Sequence, residues 1–484
     1  MSSVPAPLPT VAAAKPSADL SRRSAPVTEA VLREFRALVG RQNVLHERVD
    51  LQTYEYDAYA GHSLPGAVVF AGSTAEVATI VKILNREKIP FVPRGSGTNV
   101  SGGSLALDRA VVIEMGRMNK VLEIDAPNLC VTVQPGVFTL DVSTALAPYG
   151  FYYAPDPASM RASSVGGNVA ENAGGPHCFK YGVTSNHVLG LEVVLPDGEV
   201  VWLGGKNVDP LGLDLRGSFI GSEGTLGIVT AAILRIMRKP ETVKTMLAVF
   251  AALEDAGNVV SAIVAAGLVP ATLELMDHNT LVAIEDALAC GYPRDAGAIL
   301  LIELDGLNDG MDDLADKIAA ICKANRAMEV RVARDEDERA ALWRGRQGSF
   351  GSITRLDRNY LSLDGVVPRT MIPEALRQVT KLAESNGLQV FCTLHAGDGN
   401  LHPGFLYDER VPGAQKKAEA ASLGVLRICA DLGGTVSGEH GIGVEKLEAM
   451  RFVFGDHELR VQRLLKDAYD PENLCNPGKV LPAD

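Results

Sequence analysis

Nowhere in its 484 residues does this chain hold an apolar run near the roughly 18 residues that a membrane-spanning helix needs. The longest apolar stretch, residues 259–269, is itself broken by Ser and Gly, so an integral membrane protein is not expected. Basic residues are in deficit too. Lys and Arg number 46 against 59 Asp and Glu, a formal net charge of −13, which removes the electrostatic footprint of a nucleic-acid binder. Cysteine is sparse and unpatterned, at 130, 178, 290, 322, 392, 429 and 475, with no Cys-x-x-Cys pair. Neither a disulfide framework nor an iron–sulfur cluster is legible, and a reducing cytosol is the expected compartment. Residues 1–27 are rich in Ala, Pro and Ser and lack the apolar core of a signal peptide; the Arg22-Arg23 pair is followed by no apolar run. A disordered tail is expected there.

What is present is an ordinary globular composition, 46% hydrophobic and 22% charged, at a length that calls for two or three domains. Order is expected from Thr28, where Val31, Phe35 and Leu38 recur at helical spacing. Ser73-Thr-Ala-Glu76 is a capping-box pattern ahead of Val77, Ile80, Val81 and Leu84. Strand-like runs appear at 90–93, 111–113, 131–133, 191–195, 200–203 and 228–236, with a helix near 140–146 and Asp197-Gly198 as a hairpin turn. Lys239-Pro240-Glu241 marks a boundary. Beyond it, strands at 243–250 and 299–304 alternate with helices near 254–266, 311–325 and 372–386, which predicts a second α+β domain. The reading is therefore a tail over 1–27, a cofactor domain over 28–240, a substrate or cap domain over 241–411, and a largely helical C-terminal segment over 412–484.

Three glycine-rich loops carry the first chemical signal. Pro93-Arg-Gly-Ser-Gly-Thr98-Asn-Val-Ser-Gly-Gly103 can turn backbone amides inward to grip a pyrophosphate. It fails the Rossmann test, because its third glycine is misplaced and a strand follows where a helix should open. Ser163-Ser-Val-Gly-Gly167-Asn168-Val-Ala-Glu-Asn172-Ala-Gly-Gly175 and Gly221-Ser-Glu-Gly-Thr225-Leu-Gly227-Ile228 would let backbone approach a large planar ligand closely. Each loop alone reads equally as a turn or a bulge. Three within about 140 residues favour a dinucleotide site.

The second signal is a histidine cluster in a chain with only nine. His395-Ala-Gly-Asp-Gly-Asn-Leu-His402 places two imidazoles seven residues apart, and Gly438-Glu439-His440-Gly441-Ile442-Gly443 adds a carboxylate beside a third. Two His and a carboxylate form a nitrogen and oxygen ligand set for a divalent ion with open positions, leaving His440 to move a proton. Satisfied core histidines in a glycine-rich turn are the alternative.

Taken together, these motifs resemble a known family. The three loops resemble the flavin domain of the vanillyl-alcohol oxidase type. His395 to His402, Gly438 to Gly443 and Asn476-Pro-Gly-Lys479 resemble the branch of bacterial glycolate oxidase flavin subunits, which also holds FAD-linked D-lactate and D-2-hydroxyglutarate dehydrogenases. The resemblance covers residues 45–482 or so. It implies an α+β chain: a two-part FAD-binding domain, an α+β cap, and a helical C-terminal segment returning to the flavin. Implied cofactor-binding residues are Arg94, Gly95, Ser96, Gly97 and Thr98 for the pyrophosphate. Ser164, Gly166, Gly167, Asn168, Asn172, Gly174, Glu223, Gly224, Ile228 and Asn476 would surround the ring. Members of the wider fold that attach FAD covalently use a His in the first loop; residues 93–103 contain none, so FAD is expected to be noncovalent. His177 could lie near the flavin or be a loop residue without catalytic duty.

The implied reaction is oxidation of a short 2-hydroxy acid, glycolate or D-lactate. His395, His402 and Glu439 would hold a divalent metal, zinc or manganese; His440 would be the base. In Trp343-Arg344-Gly-Arg346-Gln-Gly-Ser-Phe350, Arg346 matches the family's substrate arginine, with a surface ion pair as the alternative. Where dicarboxylate enzymes of the branch carry a further basic residue, this chain reads Tyr360-Leu-Ser-Leu-Asp364, which favours a monocarboxylate over D-2-hydroxyglutarate. A same-fold flavin oxidase of an unrelated alcohol, and a noncatalytic flavoprotein scaffold, stay open as rivals. No second redox centre is legible, so a partner subunit, a quinone, a cytochrome or oxygen must take the electrons; the resemblance implies companion iron–sulfur and flavin subunits. A cytoplasmic protein is expected, held at the inner membrane only through such partners.

Overall fold

The computed structural model describes residues 25–207, 212–357 and 359–483. The expected tail therefore falls almost wholly outside the described residues. The chain forms two compact units, one taking in residues up to 175 with 181–239 and 439–483, the other residues 176–180 and 240–438. They are called here the N-terminal and central units.

In the N-terminal unit, strands β1 (Val44–Leu45), β2 (Ala67–Phe70), β3 (Phe91–Arg94) and β4 (Val111–Glu114) form a sheet in the order β1-β2-β4-β3, with β2 and β3 parallel to β4. Its apolar face is covered by helices Glu29–Val39 and Thr74–Glu87, through Phe35, Ile80, Val81 and Leu84. Both helix starts follow from sequence. Thr28 Oγ1 accepts from Val31 N at 3.3 Å and Ser73 Oγ from Glu76 N at 3.2 Å, while Glu76 reaches back to Gly72 N.

The second sheet of this unit contains β5 (Val121–Asp125), β6 (Cys130–Val133), β8 (Val188–Val194), β9 (Val200–Gly204) and β10 (Ile228–Arg235), all antiparallel in the order β5-β6-β10-β8-β9. A small pair joins β7 (Phe151–Tyr152) to β11 (Met237–Arg238). Near its other end the chain returns to β3, where Phe91 N donates to Leu474 O and Asn476 N to Phe91 O.

The central unit is built on one antiparallel sheet. Its strands are β12 (Thr242–Phe250), β13 (Thr272–Asp277), β14 (Ala298–Gly306), β15 (Glu329–Val332), β16 (Asn359–Ser362), β17 (Gly365–Val366), β18 (Val390–His395) and β19 (Asn400–Tyr407). The order is β15-β12-β14-β13-β18-β19-β16, with β17 beside β19. Side chains alternate between its faces. Met246, Ala248 and Phe250 pack under helices Leu253–Ala265, Met311–Ala324, Ile372–Ser385 and Ala414–Asp431. Leu247 and Val249 pack under His278–Leu288 and Glu336–Gln347. Burial on both faces is why these strands read as nearly continuous apolar runs.

One expectation changes. A boundary at 412 would cut off the helix Ala414–Asp431, but Ala421, Val425 and Cys429 bury in the central sheet's core, and the unit runs on to Gly438. The C-terminal segment is largely helical up to Tyr469, in Ala414–Asp431, Met450–Val453 and Asp456–Tyr469, with one long interruption. Residues 432–449 are irregular, because five glycines between 433 and 443 favour backbone conformations that no helix uses.

Candidate active site

The N-terminal unit holds a cavity lined by all three glycine loops. Arg94, Gly95, Ser96, Gly97, Thr98, Ser164, Gly166, Gly167, Asn168, Glu223, Gly224 and Ile228 lie on its wall, and so do Glu439 and His440. Asn172, Gly174 and Asn476 do not figure in the lining. Asn172 caps the helix Val165–Glu171 in a left-handed conformation and accepts from Ser185 N at 2.8 Å. Asn476 is a strut, its Nδ2 donating to Gly103 O at 2.8 Å and Glu223 O at 2.7 Å.

The glycines have a purpose other than the expected one. A Cβ on Gly95 would stand 2.1 Å from Ser164 Oγ, one on Gly166 2.6 Å from Pro135 Cβ, and one on Gly224 2.4 Å from Pro93 Cγ. Their bareness lets the loops pack on one another. Gly167 differs, since the nearest atom to its Cβ is Ser164 Oγ at 3.3 Å.

The wall fits FAD. Arg94 is buried, its Nη2 donates to Tyr56 O at 2.8 Å, and its Nη1 has no hydrogen-bond partner among the described residues. An unsatisfied buried guanidinium nitrogen is costly unless an anion arrives to meet it. Burial already lowers the Arg94 pKa, which a bound pyrophosphate would reverse.

Behind the wall lies a buried polar cluster. Glu223 Oε1 and Oε2 accept from Ile442 N and Gly443 N at 2.6 and 2.8 Å. Burial raises the Glu223 pKa, and burial together with the Glu223 charge raises that of Glu171. Lys479, also buried, donates to Leu105 O and Asn476 Oδ1, and burial lowers its pKa to about 8.

In the central unit the polar residues gather on one sheet face. Glu274 on β13 lies opposite His395 on β18, and Thr393 opposite His402 on β19. His395 Nδ1 is 2.8 and 3.0 Å from the two Glu274 oxygens, and His402 Nδ1 is 3.0 Å from Leu363 O. The rings meet edge-on with centroids 5.0 Å apart. With each Nδ1 facing a protein acceptor, Nε2 is the nitrogen through which either ring could hold a metal, an arrangement in which outer carboxylates and carbonyls orient metal-binding histidines.

Arg346, on the helix Glu336–Gln347, is buried, its Nε 2.6 Å from Glu274 Oε2. Among the described residues no acceptor lies along the Nε–H direction, so this is a close ion pair more than an aligned hydrogen bond. Arg344 is exposed two residues earlier. Burial raises the Glu274 pKa, but the charges of Arg346 and His395 outweigh it and hold the group below the usual carboxylate range. His177 stacks on Trp343 and stands 3.2 Å from Glu303. Glu303 also accepts from Thr245, Arg339 and Trp343 Nε1.

Glu274, Glu303 and Glu171 were not singled out from sequence. The usable signal for the first two is a carboxylate inside an apolar strand, as in Leu273-Glu-Leu-Met276 and Ile299-Leu-Leu-Ile-Glu303; such a charge is almost never buried unpaired.

Comparison with known proteins converges on one family. A model described as the FAD binding domain matches residues 65–204, and one for the C-terminal domain of FAD linked oxidases matches residues 239–480. The chain is 40% identical over 453 residues to the glycolate oxidase subunit GlcD of Escherichia coli, covering 93% of this chain and 91% of that one. It is 33% identical over 465 residues to a D-lactate dehydrogenase of Anaerostipes hadrus, covering 94% and 98%. Among solved structures, 4-ethylphenol oxidase from Gulosibacter chungangensis matches with a TM-score of 0.77 at 21% identity, over 94% of this chain and 97% of that one. That last likeness speaks for the fold alone.

Proposed function

This chain belongs to the FAD-linked oxidases and has the fold of vanillyl-alcohol oxidase-type flavoproteins, and from that premise we propose that it oxidises glycolate or D-lactate to the 2-oxo acid. The observation that carries the reading is that His440 lines the same cavity as the three glycine loops. A proton acceptor and the recess between the glycine loops then share one wall.

Bound FAD would supply the acceptor for the substrate's α-hydrogen, and residues 94–98, 164–168 and 224–228 would hold it. His440 takes the hydroxyl proton as that hydrogen leaves. Arg346 binds the substrate carboxylate, its Nη atoms forming the fork while Nε rests against Glu274. His395, His402 and Glu439 hold a divalent ion, zinc or manganese, whose Lewis acidity would orient the substrate oxygens and lower the hydroxyl pKa. What supports the ion is the orientation of both imidazoles by acceptors on Nδ1.

A monocarboxylate is favoured because Asp364, in the loop where a longer acid would need a cation, is buried and accepts from Ser437 Oγ and Gly438 N. Electrons then leave through partner subunits, as befits a relative named as a subunit. No helix among the described residues is long and apolar enough to cross a membrane.

Anaerobic titration of the purified flavoprotein with glycolate, D-lactate, L-lactate and D-2-hydroxyglutarate tests the reading. Glycolate or D-lactate should bleach the flavin fastest. Equal rates with L-lactate would overturn the branch assignment, and a strong preference for D-2-hydroxyglutarate would overturn the size argument.

A further inference from the structure

The turn that carries His440 is gripped through its backbone. Ser101 Oγ donates to His440 O at 2.9 Å, and Val444 N donates to Ser101 O at 2.9 Å. Between those points the Glu223 carboxylate takes the amides of Ile442 and Gly443, one on each oxygen. Gly441 and Gly443 have φ of 82° and 52°. A Cβ on Gly441 would stand 2.2 Å from Glu171 Oε2, and one on Gly443 2.0 Å from Ser101 O, so this turn admits no side chain at either point.

Glu223 is committed on every side. Its backbone N donates to Ala170 O, its backbone O accepts from Asn476, and it is itself a non-glycine residue at φ 52°. Backbone strain of this kind costs about 1–3 kcal/mol and persists where the surroundings enforce it. Both carboxylate oxygens thus already accept from backbone amides of the turn.

We infer that Glu223 is a positioning residue, whose carboxylate fixes the turn 440–444 and thereby sets where the His440 imidazole stands at the cavity wall. This rests on the reading of His440 as the base. The loop expected to touch the flavin would then also aim the proton acceptor, with Ser101 of the first loop holding the opposite side.

The test is a double-mutant cycle on the FAD-loaded protein, with stopped-flow flavin reduction by glycolate and amide exchange at Ile442 and Gly443. Glu223→Gln replaces one acceptor oxygen with a donor, so exchange at those amides should rise. FAD affinity should stay within about threefold, and flavin reduction should slow by roughly tenfold to a hundredfold, the worth of a charge-assisted hydrogen bond, with little change in the substrate dissociation constant. In a His440→Asn background the same change should add nothing, because Glu223 acts through that ring. Loss of FAD, or full additivity of the two substitutions, overturns the inference. Unchanged reduction in His440→Asn alone rejects the base itself, a result distinct from either. Should Glu223→Gln fail to fold, Ser101→Ala removes the grip on His440 O and is held to the same cycle.

Discussion

Replacing Glu274 by Gln tests the buried ionic core of the central unit most sharply. The carboxylate is fully buried and meets Arg346 Nε at 2.6 Å, His395 Nδ1 at 2.8 Å and Thr272 Oγ1 at 3.1 Å. Gln keeps the shape but offers one oxygen and a donor, so it can satisfy the imidazole or the guanidinium and not both. Removing one partner of a buried pair leaves the other as an uncompensated charge, at about 3–5 kcal/mol. The imidazole also loses its anionic orienting partner, which in metal sites costs about ten- to a hundredfold in affinity.

Only two tryptophans are present, Trp202 on β9 and Trp343 beside this cluster. In a Trp202→Phe background, urea unfolding followed by fluorescence therefore reports on the central unit. Glu274→Gln should lower its midpoint markedly, and adding Arg346→Met should recover much of the loss, since a charge-free pair needs no counter-ion. Zinc or manganese titration should show the weakened affinity. An unchanged midpoint, or a double variant as unstable as the two singles summed, would refute the reasoning.

Further outcomes are expected elsewhere. Burial raises the Glu303 pKa, but bonds and charges from His177 and Arg339 and the Thr245 bond outweigh it and bring the group to about 2 from 4.5. The folded pKa is the lower one, so this contribution of about 3 kcal/mol is complete above pH 4.5 and fades as the pH falls toward 2; the gap in stability between the protein and its Glu303→Gln variant should shrink over that window in Trp343-monitored unfolding. His440→Asn should keep FAD and metal yet slow flavin reduction by about a hundredfold, read by stopped flow. His395→Ala should lose metal in elemental analysis while retaining FAD, because the loops that line the flavin cavity belong to the other unit. Arg346→Lys should raise the substrate dissociation constant by roughly ten- to a hundredfold, whereas Arg344→Lys, at an exposed position, should have a smaller effect.

Much of this was legible because it is local. Caps at Thr28 and Ser73, the hairpin at Asp197-Gly198 and the alternating strands of the central sheet depend on near neighbours. Twelve of the residues read as cofactor-binding line the cavity because they sit in three loops at the ends of strands or helices. What sequence hides is pairing across distance. Glu274 and His395 are 121 residues apart, and Glu223 and Gly443 220 apart. Nothing at either end announces the other. Asn476 was read as a flavin contact because its motif gives its identity without its direction; its amide in fact braces two loops from behind.

The pairing of residues 474–476 with β3 also sets a schedule for synthesis. Asn476 and Lys479 brace Gly103 and Leu105 across 373 and 374 residues. At about 5–20 residues per second on the ribosome, those loops emerge roughly twenty seconds to more than a minute before their braces. Throughout that interval Glu223 has neither the amides of Ile442 and Gly443 nor the strut from Asn476. A nascent chain would thus present the glycine loops without their braces, and the turn behind them is fixed only after residue 479 is made. A chain broken off before that point lacks the residues that brace these loops, so its loops must hold their shape on local contacts alone.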